Sequence, residues 1–122
     1  MDTIVYGIPN CDTVKKARAW LAQQDAPYRF HDFRKDGVPA ARLDGWIESV
    51  GWEKLVNRKG TTWRRLDAAA QAGVQDAASA KALMLAEPSV IKRPVVEWAP
   101  DKTTVGFDAS AWALLAGRQN PK

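Results

Sequence analysis

The stretch Thr3-Ile4-Val5-Tyr6-Gly7-Ile8-Pro9-Asn10-Cys11-Asp12-Thr13-Val14, continued to Phe33, decides the fold. Residues 3–7 are β-branched and aromatic and run into the turn cluster Gly7-Ile8-Pro9-Asn10, which predicts a short buried strand entering a loop. From Cys11 the spacing changes. Val14, Ala17 and Leu21 stand at i, i+3 and i+7, with Trp20 beside them, which predicts an amphipathic helix. Its wet face carries Lys15, Lys16, Arg18, Gln23 and Gln24. Pro27 follows the helix, and Tyr28-Arg29-Phe30-His31-Asp32-Phe33 alternates aromatic and polar side chains as a strand does. Strand, helix and strand in so short a span predict a parallel pair joined by a right-handed crossover.

Outward from this unit the pattern turns helical. Residues 39–50 place Leu43, Trp46, Ile47 and Val50 at helical spacing, with Gly51 as the stop. Residues 53–57 read as a link or a single helical turn. Gly60-Thr61-Thr62 breaks the pattern, and Thr61 or Thr62 can cap a short helix over 63–66. Residues 77–86 are alanine-rich, carry Leu83, Met84 and Leu85, and stop before Pro88. The segment 38–88 is thus helix and loop. The strand signal returns over 90–98, interrupted by Pro94. Pro100-Asp101-Lys102 suits the turn of an antiparallel hairpin leading to a strand over 103–107. Asp108 or Ser110 caps a last helix with Trp112, Leu114 and Leu115 on its apolar face, and residues 117–122 are expected to fray. The order βαβ, helical insert, ββα predicts an α/β sandwich around a four-stranded mixed sheet, with six tryptophans supplying much of the core.

A chain of 122 residues, 46% hydrophobic and 26% charged, fits one globular domain spanning residues 1–122. No apolar run approaches the length of a membrane span, and no basic-then-apolar leader opens the chain, so no membrane association is expected. The single cysteine excludes an internal disulfide framework and any metal site built on several thiolates. A lone thiol suits the reducing cytoplasm, the expected compartment. The net charge of +4 is mild, and the basic residues are spread along the chain, with Arg58-Lys59 and Arg64-Arg65 among the adjacent pairs. Those pairs are either a solvated surface or an anion-binding patch, and nucleic acid is not the expected partner.

Cys11 falls at the junction of first strand and first helix, where open α/β sheets collect ligands. The free N–H groups and dipole of a helix start favour a thiolate over a thiol. Asn10 or Thr13 can add a hydrogen bond, whereas an Asp12 carboxylate aimed at sulfur would oppose it. The competing reading is a small buried hydrophobe. The residue three places after Cys11 is Val14, so no Cys-x-x-Cys pair exists and any redox cycle needs an external thiol. His31 reads as a strand surface residue, and Trp63 and Trp98 as core or cleft walls. No Gly-rich phosphate loop and no metal-ligand pattern is present, so no bound cofactor is expected.

Three segments occur in this order: Pro9-Asn10-Cys11-Asp12-Thr13, Leu55-Val56-Asn57-Arg58-Lys59-Gly60-Thr61-Thr62-Trp63-Arg64, and Pro88-Ser89-Val90-Ile91-Lys92-Arg93-Pro94-Val95. Together they resemble the glutaredoxin-linked arsenate reductase (ArsC) family in its YffB-like branch, with the regulator Spx as a cousin. The likeness covers essentially the whole chain. It implies a thioredoxin-like fold with a helical insertion after the second strand, the core being 1–37 and 89–117 and the insert 38–88. In that family one cysteine attacks arsenate, three arginines steady the oxyanion, glutathione forms a mixed disulfide and glutaredoxin resolves it. The resemblance therefore implies a catalytic Cys11, with Arg93, Arg58, Asn10, Thr13 and Pro94 toward the substrate, Pro94 as the cis-proline, and no metal. Arg93 matches one family arginine. Asn57 stands at the second position, with Arg58 next to it, and the third falls near Gly106-Phe107, where no side chain is basic.

The expected activity is a glutathione-dependent thiol–disulfide oxidoreductase, arsenate reductase-like, with glutathione as co-substrate and glutaredoxin as a candidate partner. Its substrate would be a small thiol, disulfide or oxyanion, and the chain is expected to act as a monomer. Genuine arsenate reduction is the alternative. An Spx-like regulator that binds RNA polymerase is the second, although those redox-sensing relatives carry the Cys-x-x-Cys absent here.

Overall fold

In the computed structural model, which describes residues 3–119, β1 (Ile4–Gly7) lies beside β2 (Arg29–Asp32) and is joined to it by α1 (Asp12–Gln23). The two strands are parallel, with Val5 opposite Phe30 and Tyr6 opposite His31. On its other side β1 pairs antiparallel with β3 (Val95–Ala99), and β3 pairs antiparallel with β4 (Lys102–Val105). The sheet is mixed and its order is β2-β1-β3-β4. The period-2 alternation of strands sorts the side chains. Val5, Val96 and Trp98 face one core with Ala17 and Leu21 of α1 and with Trp112 and Ala116 of α8 (Ala109–Gln119). Tyr6 and Glu97 lie on the opposite face, both buried, and the Tyr6 hydroxyl donates to Glu97 Oε1 at 3.0 Å. Burial of both groups is tolerable because each satisfies the other.

Between β2 and β3 run α2 (Phe33–Asp36), α3 (Ala40–Val50), α4 (Trp52–Leu55), α5 (Thr61–Arg65), α6 (Ala68–Ala72), α7 (Ala77–Ala86) and a 3₁₀ turn over Pro88–Val90. The described residues divide into two compact units, residues 3–37 with 93–119, and residues 38–92. In the second unit α3 packs on α4 and α7, and Leu43, Trp46, Leu55, Val56, Ala80, Met84, Val90 and Ile91 are buried. Asp76 and Ser79 form a capping box at the start of α7. The boundary falls at Arg93 and not at residue 89. Val56 bridges Ile91, the Asn57 N–H donates to the Val90 carbonyl at 2.8 Å, and the Lys92 N–H donates to the Leu55 carbonyl at 2.7 Å, which ties residues 90–92 to the helical unit.

Several local expectations are corrected. The strand expected over 90–98 begins only at Val95, because Pro88 opens a 3₁₀ turn and Ile91 makes an isolated bridge. Phe33 starts α2, since the Asp32 carboxylate accepts from the N–H groups of Arg34 and Lys35 and ends the strand. Neither Thr61 nor Thr62 caps α5, whose N-cap is Gly60. Asp108, not Ser110, caps α8 by accepting from the N–H groups of Ser110 and Ala111. Leu114, expected on the apolar face of α8, is 74% exposed. Helix α8 continues through Gln119, and the rest of the segment expected to fray, 120–122, lies outside the described residues. Arg18, expected on the wet face of α1, is half-buried. Its Nε donates to the Tyr28 hydroxyl at 2.9 Å and its guanidinium lies 4.1 Å from the Phe30 ring centroid.

Candidate active site

Strand β1 ends at Gly7, and the exposed Pro9 and Asn10 carry the chain to α1. The Cys11 N–H donates to the Ile8 carbonyl at 3.2 Å and closes this turn. Cys11 is the N-cap of α1, with an extended backbone (φ −95°, ψ 128°), and its carbonyl accepts the first helical bond, from Lys15 N–H at 2.9 Å. The sulfur is half-buried and makes no closed cap hydrogen bond to the helix. It nevertheless sits in the field of the open helix start.

Burial alone pushes the Cys11 thiol up. The Val14 N–H, the donating guanidinium of Arg93 with its positive charge, and the Thr13 N–H outweigh burial, so the thiol lies below its ordinary range. Arg93 reaches the sulfur from the segment just before β3. The Arg93–Pro94 peptide is cis, and Pro94 is buried. The Pro94 carbonyl accepts from the Gly106 N–H at 2.9 Å, which ties the start of β3 to the end of β4. Gly106 has φ +78°, in the left-handed region that glycine alone adopts at no steric cost.

The structure thus brings Cys11, Arg93 and Pro94 together in one unit. Thr13 contributes its backbone N–H, while the side chains of Asn10 and Thr13 are exposed. Arg58 lies in the helical unit, exposed, with its guanidinium 5.5 Å from the Trp52 ring centroid and 5.8 Å from that of Trp63. The Asn57 side chain is engaged locally, where its Oδ1 accepts from the Lys59 N–H at 3.2 Å. His31 is half-buried, its Nε2 is 2.8 Å from the Gly37 carbonyl, and its ring packs 5.0 Å from that of Tyr6. The Val14 N–H is one of the free N–H groups expected at the helix start, and it lies three residues on from the N-cap, where an N-cap side chain faces. Among the described residues no group of three or more His, Cys, Asp or Glu side chains could hold a metal, and no helix is long and apolar enough to cross a membrane.

The four-stranded mixed sheet with a cysteine at the first helix start is a thioredoxin-like fold. The chain belongs to the ArsC family, which it matches over residues 6–115. A YffB protein of known structure is 46% identical with a TM-score of 0.88, over 93% of this chain and 98% of its own. An arsenate reductase (ArsC) related protein from Brucella melitensis is 47% identical with a TM-score of 0.74, over 93% of each chain. An uncharacterized protein of Haemophilus influenzae is 40% identical over 104 residues, 85% of this chain and 90% of its own. An arsenate reductase from Vibrio cholerae, at 16% identity and a TM-score of 0.75, shares the fold.

Arg93→Ala is expected to move the Cys11 thiol upward, because it removes both a donor and a positive charge from the sulfur. The folded thiol lies below its unfolded value. The stability that the thiolate gains in the fold is therefore present above the unfolded value and is lost as pH falls through the folded one. Arg93→Ala narrows that window from the low-pH side. The rate of iodoacetamide alkylation against pH measures it. Lys16→Ala, an exposed cation on α1, is the control, and a shift there as large as that of Arg93→Ala would remove the assignment.

Proposed function

We propose that the protein is a glutathione-dependent thiol–disulfide oxidoreductase whose nucleophile is Cys11. Membership in the ArsC family and likeness to an arsenate reductase-related protein support thiol-based reductase chemistry. The observation that carries the finer reading is the Cys11 sulfur itself, half-exposed at a helix start beside Arg93 and held below its ordinary range.

The cycle follows from one cysteine. The Cys11 thiolate attacks the glutathionyl sulfur of a disulfide R–S–S–G, forming Cys11–S–S–G and releasing R–S⁻, which takes a proton from water. A glutathione thiolate then attacks the glutathionyl sulfur of that adduct. Cys11 leaves as thiolate and oxidised glutathione is formed. The substrate disulfide is reduced and two glutathione equivalents end oxidised as one disulfide. With Val14 at the third place after Cys11, no internal thiol can intercept the adduct, so it lives until an external thiol arrives. Glutaredoxin is the proposed external partner beside glutathione. Arg93 stabilises the thiolate that attacks in the first step and leaves in the second, and its planar fork suits the carboxylates of the tripeptide.

Incubation with oxidised glutathione is expected to add one glutathionyl group to the intact protein, and none to Cys11→Ser. Arg93→Ala is expected to raise the barrier to adduct formation by about 1–2 kcal/mol, the value of a hydrogen bond to a charged group reduced for its half-exposed position. Intact-mass spectrometry over time reads both. Wild-type protein that is alkylated by iodoacetamide yet takes up no glutathione would refute the proposal.

A further inference from the structure

Gly7, the last residue of β1, does not owe its identity to backbone conformation. The described residues with φ in the left-handed region are Asp25, Gly37, Gly51 and Gly106. What Gly7 lacks is room for a side chain. A Cβ there would stand 2.9 Å from Cγ2 of Val14 and 3.6 Å from its Cγ1. Val14 is fully buried, and a β-branched residue in a helix holds essentially one rotamer, so its methyls cannot swing aside. An added Cβ must move the helix instead.

The place where the helix would move is the place where the chemistry sits. Val14 is the third residue of α1, and Cys11 is the N-cap of the same helix. The side chain that meets Gly7 and the N–H that faces the Cys11 sulfur belong to one residue. Lifting the first turn of α1 by a fraction of an ångström weakens the field at the sulfur, because the effect of a helix terminus falls off within its first turn. We propose that Gly7 and Val14 form a positioning contact: the missing side chain at Gly7 lets the first turn of α1 settle against β1 at the depth that aims its N–H groups at the Cys11 sulfur. Gly7 touches no substrate and acts only through Val14.

The inference rests on Cys11 being the reacting atom, as proposed above. Its test is a double-mutant cycle over Gly7→Ala, Val14→Ala and the double variant, since residues in contact couple and distant ones do not. The readout is the iodoacetamide alkylation rate against pH on folded protein, which reports the thiol and not the glutathione reaction. Gly7→Ala is expected to displace the profile to higher pH and to slow alkylation at neutral pH severalfold. The double variant, in which the opposing methyls are gone, is expected to return to the profile of Val14→Ala alone.

A Gly7→Ala profile that matches wild type overturns the proposal. So does a displacement that persists in the double variant relative to Val14→Ala, because the contact was then not its cause. If Gly7→Ala alone does not fold, the double variant decides. A folded protein with the Val14→Ala profile supports the proposal; a displaced profile or an unfolded double variant overturns it. A displaced Gly7→Ala profile, found together with wild-type protein that takes up no glutathione, refutes the proposed function and leaves the positioning contact standing.

Discussion

Trp112→Ala is expected to remove about 3–5 kcal/mol of folding stability, the range for truncating a fully buried tryptophan. Trp112 is the anchor of α8. Its indole meets Trp98 of β3 edge-on at 5.0 Å between centroids, Phe107 at 4.9 Å and Trp20 of α1 at 6.0 Å. Three edge-to-face contacts converge on one ring, and each adds to the area it buries. A domain of this size holds about 5–15 kcal/mol in total, so the loss is a large fraction of it. The same cluster holds Val5 of β1 and Ala17 and Leu21 of α1, the two elements that present Cys11. Urea unfolding followed by far-UV circular dichroism measures the effect. Leu114→Ala, on the same helix but 74% exposed, should cost a small fraction of it, and equal midpoints for the two variants would contradict this packing.

The parts of the fold that follow a strong period are legible in the sequence. Val14, Ala17 and Leu21 mark the buried stripe of α1, and residues 77–86 form α7 with the bounds that the alanine-rich run suggests. Helix α6 is not legible because Ala68–Ala72 has no apolar face to bury, and it exists through the Asp67 cap and its own hydrogen bonds. Residues 90–98 mislead because an apolar β-branched run looks the same whether it joins a sheet or bridges a single residue. Val56, far away in sequence, decides between the two. Arg18 misleads because its partners, Tyr28 and Phe30, arrive only when β2 packs beside α1.

The site divides in the same way. Cys11 is legible from its place between strand and helix, whereas Arg93 and Pro94 enter only through the family likeness, since no local pattern links residue 93 to residue 11. The clearance between Gly7 and Val14 is a matter of tenths of an ångström. A sequence carries no signal of that size.

With arsenate, glutathione and glutaredoxin supplied, turnover is expected to fall about 10²–10³-fold below that of a three-arginine relative for each family arginine this chain lacks. A multiply charged oxyanion must approach a thiolate, and like charges meeting outside bulk water repel strongly unless donors converge on them. Arg93 acts on the sulfur and supplies one such donor. At the second family position Asn57 spends its carbonyl oxygen on the Lys59 N–H, while the guanidinium of Arg58 lies over the Trp52 and Trp63 rings. At the third position Gly106 has no side chain and donates its N–H to the Pro94 carbonyl, and Phe107 packs its ring against Trp112. A glutathione disulfide asks for less, since its reacting sulfur is uncharged. The glutathionyl adduct should therefore form readily in a protein that reduces arsenate slowly. Coupled turnover assays against a three-arginine relative, run beside the intact-mass assay, separate the two activities. Arsenate reduction at the relative's rate would mean that the absent guanidinium groups are dispensable, and would reverse the ranking of disulfide over arsenate as the substrate of Cys11.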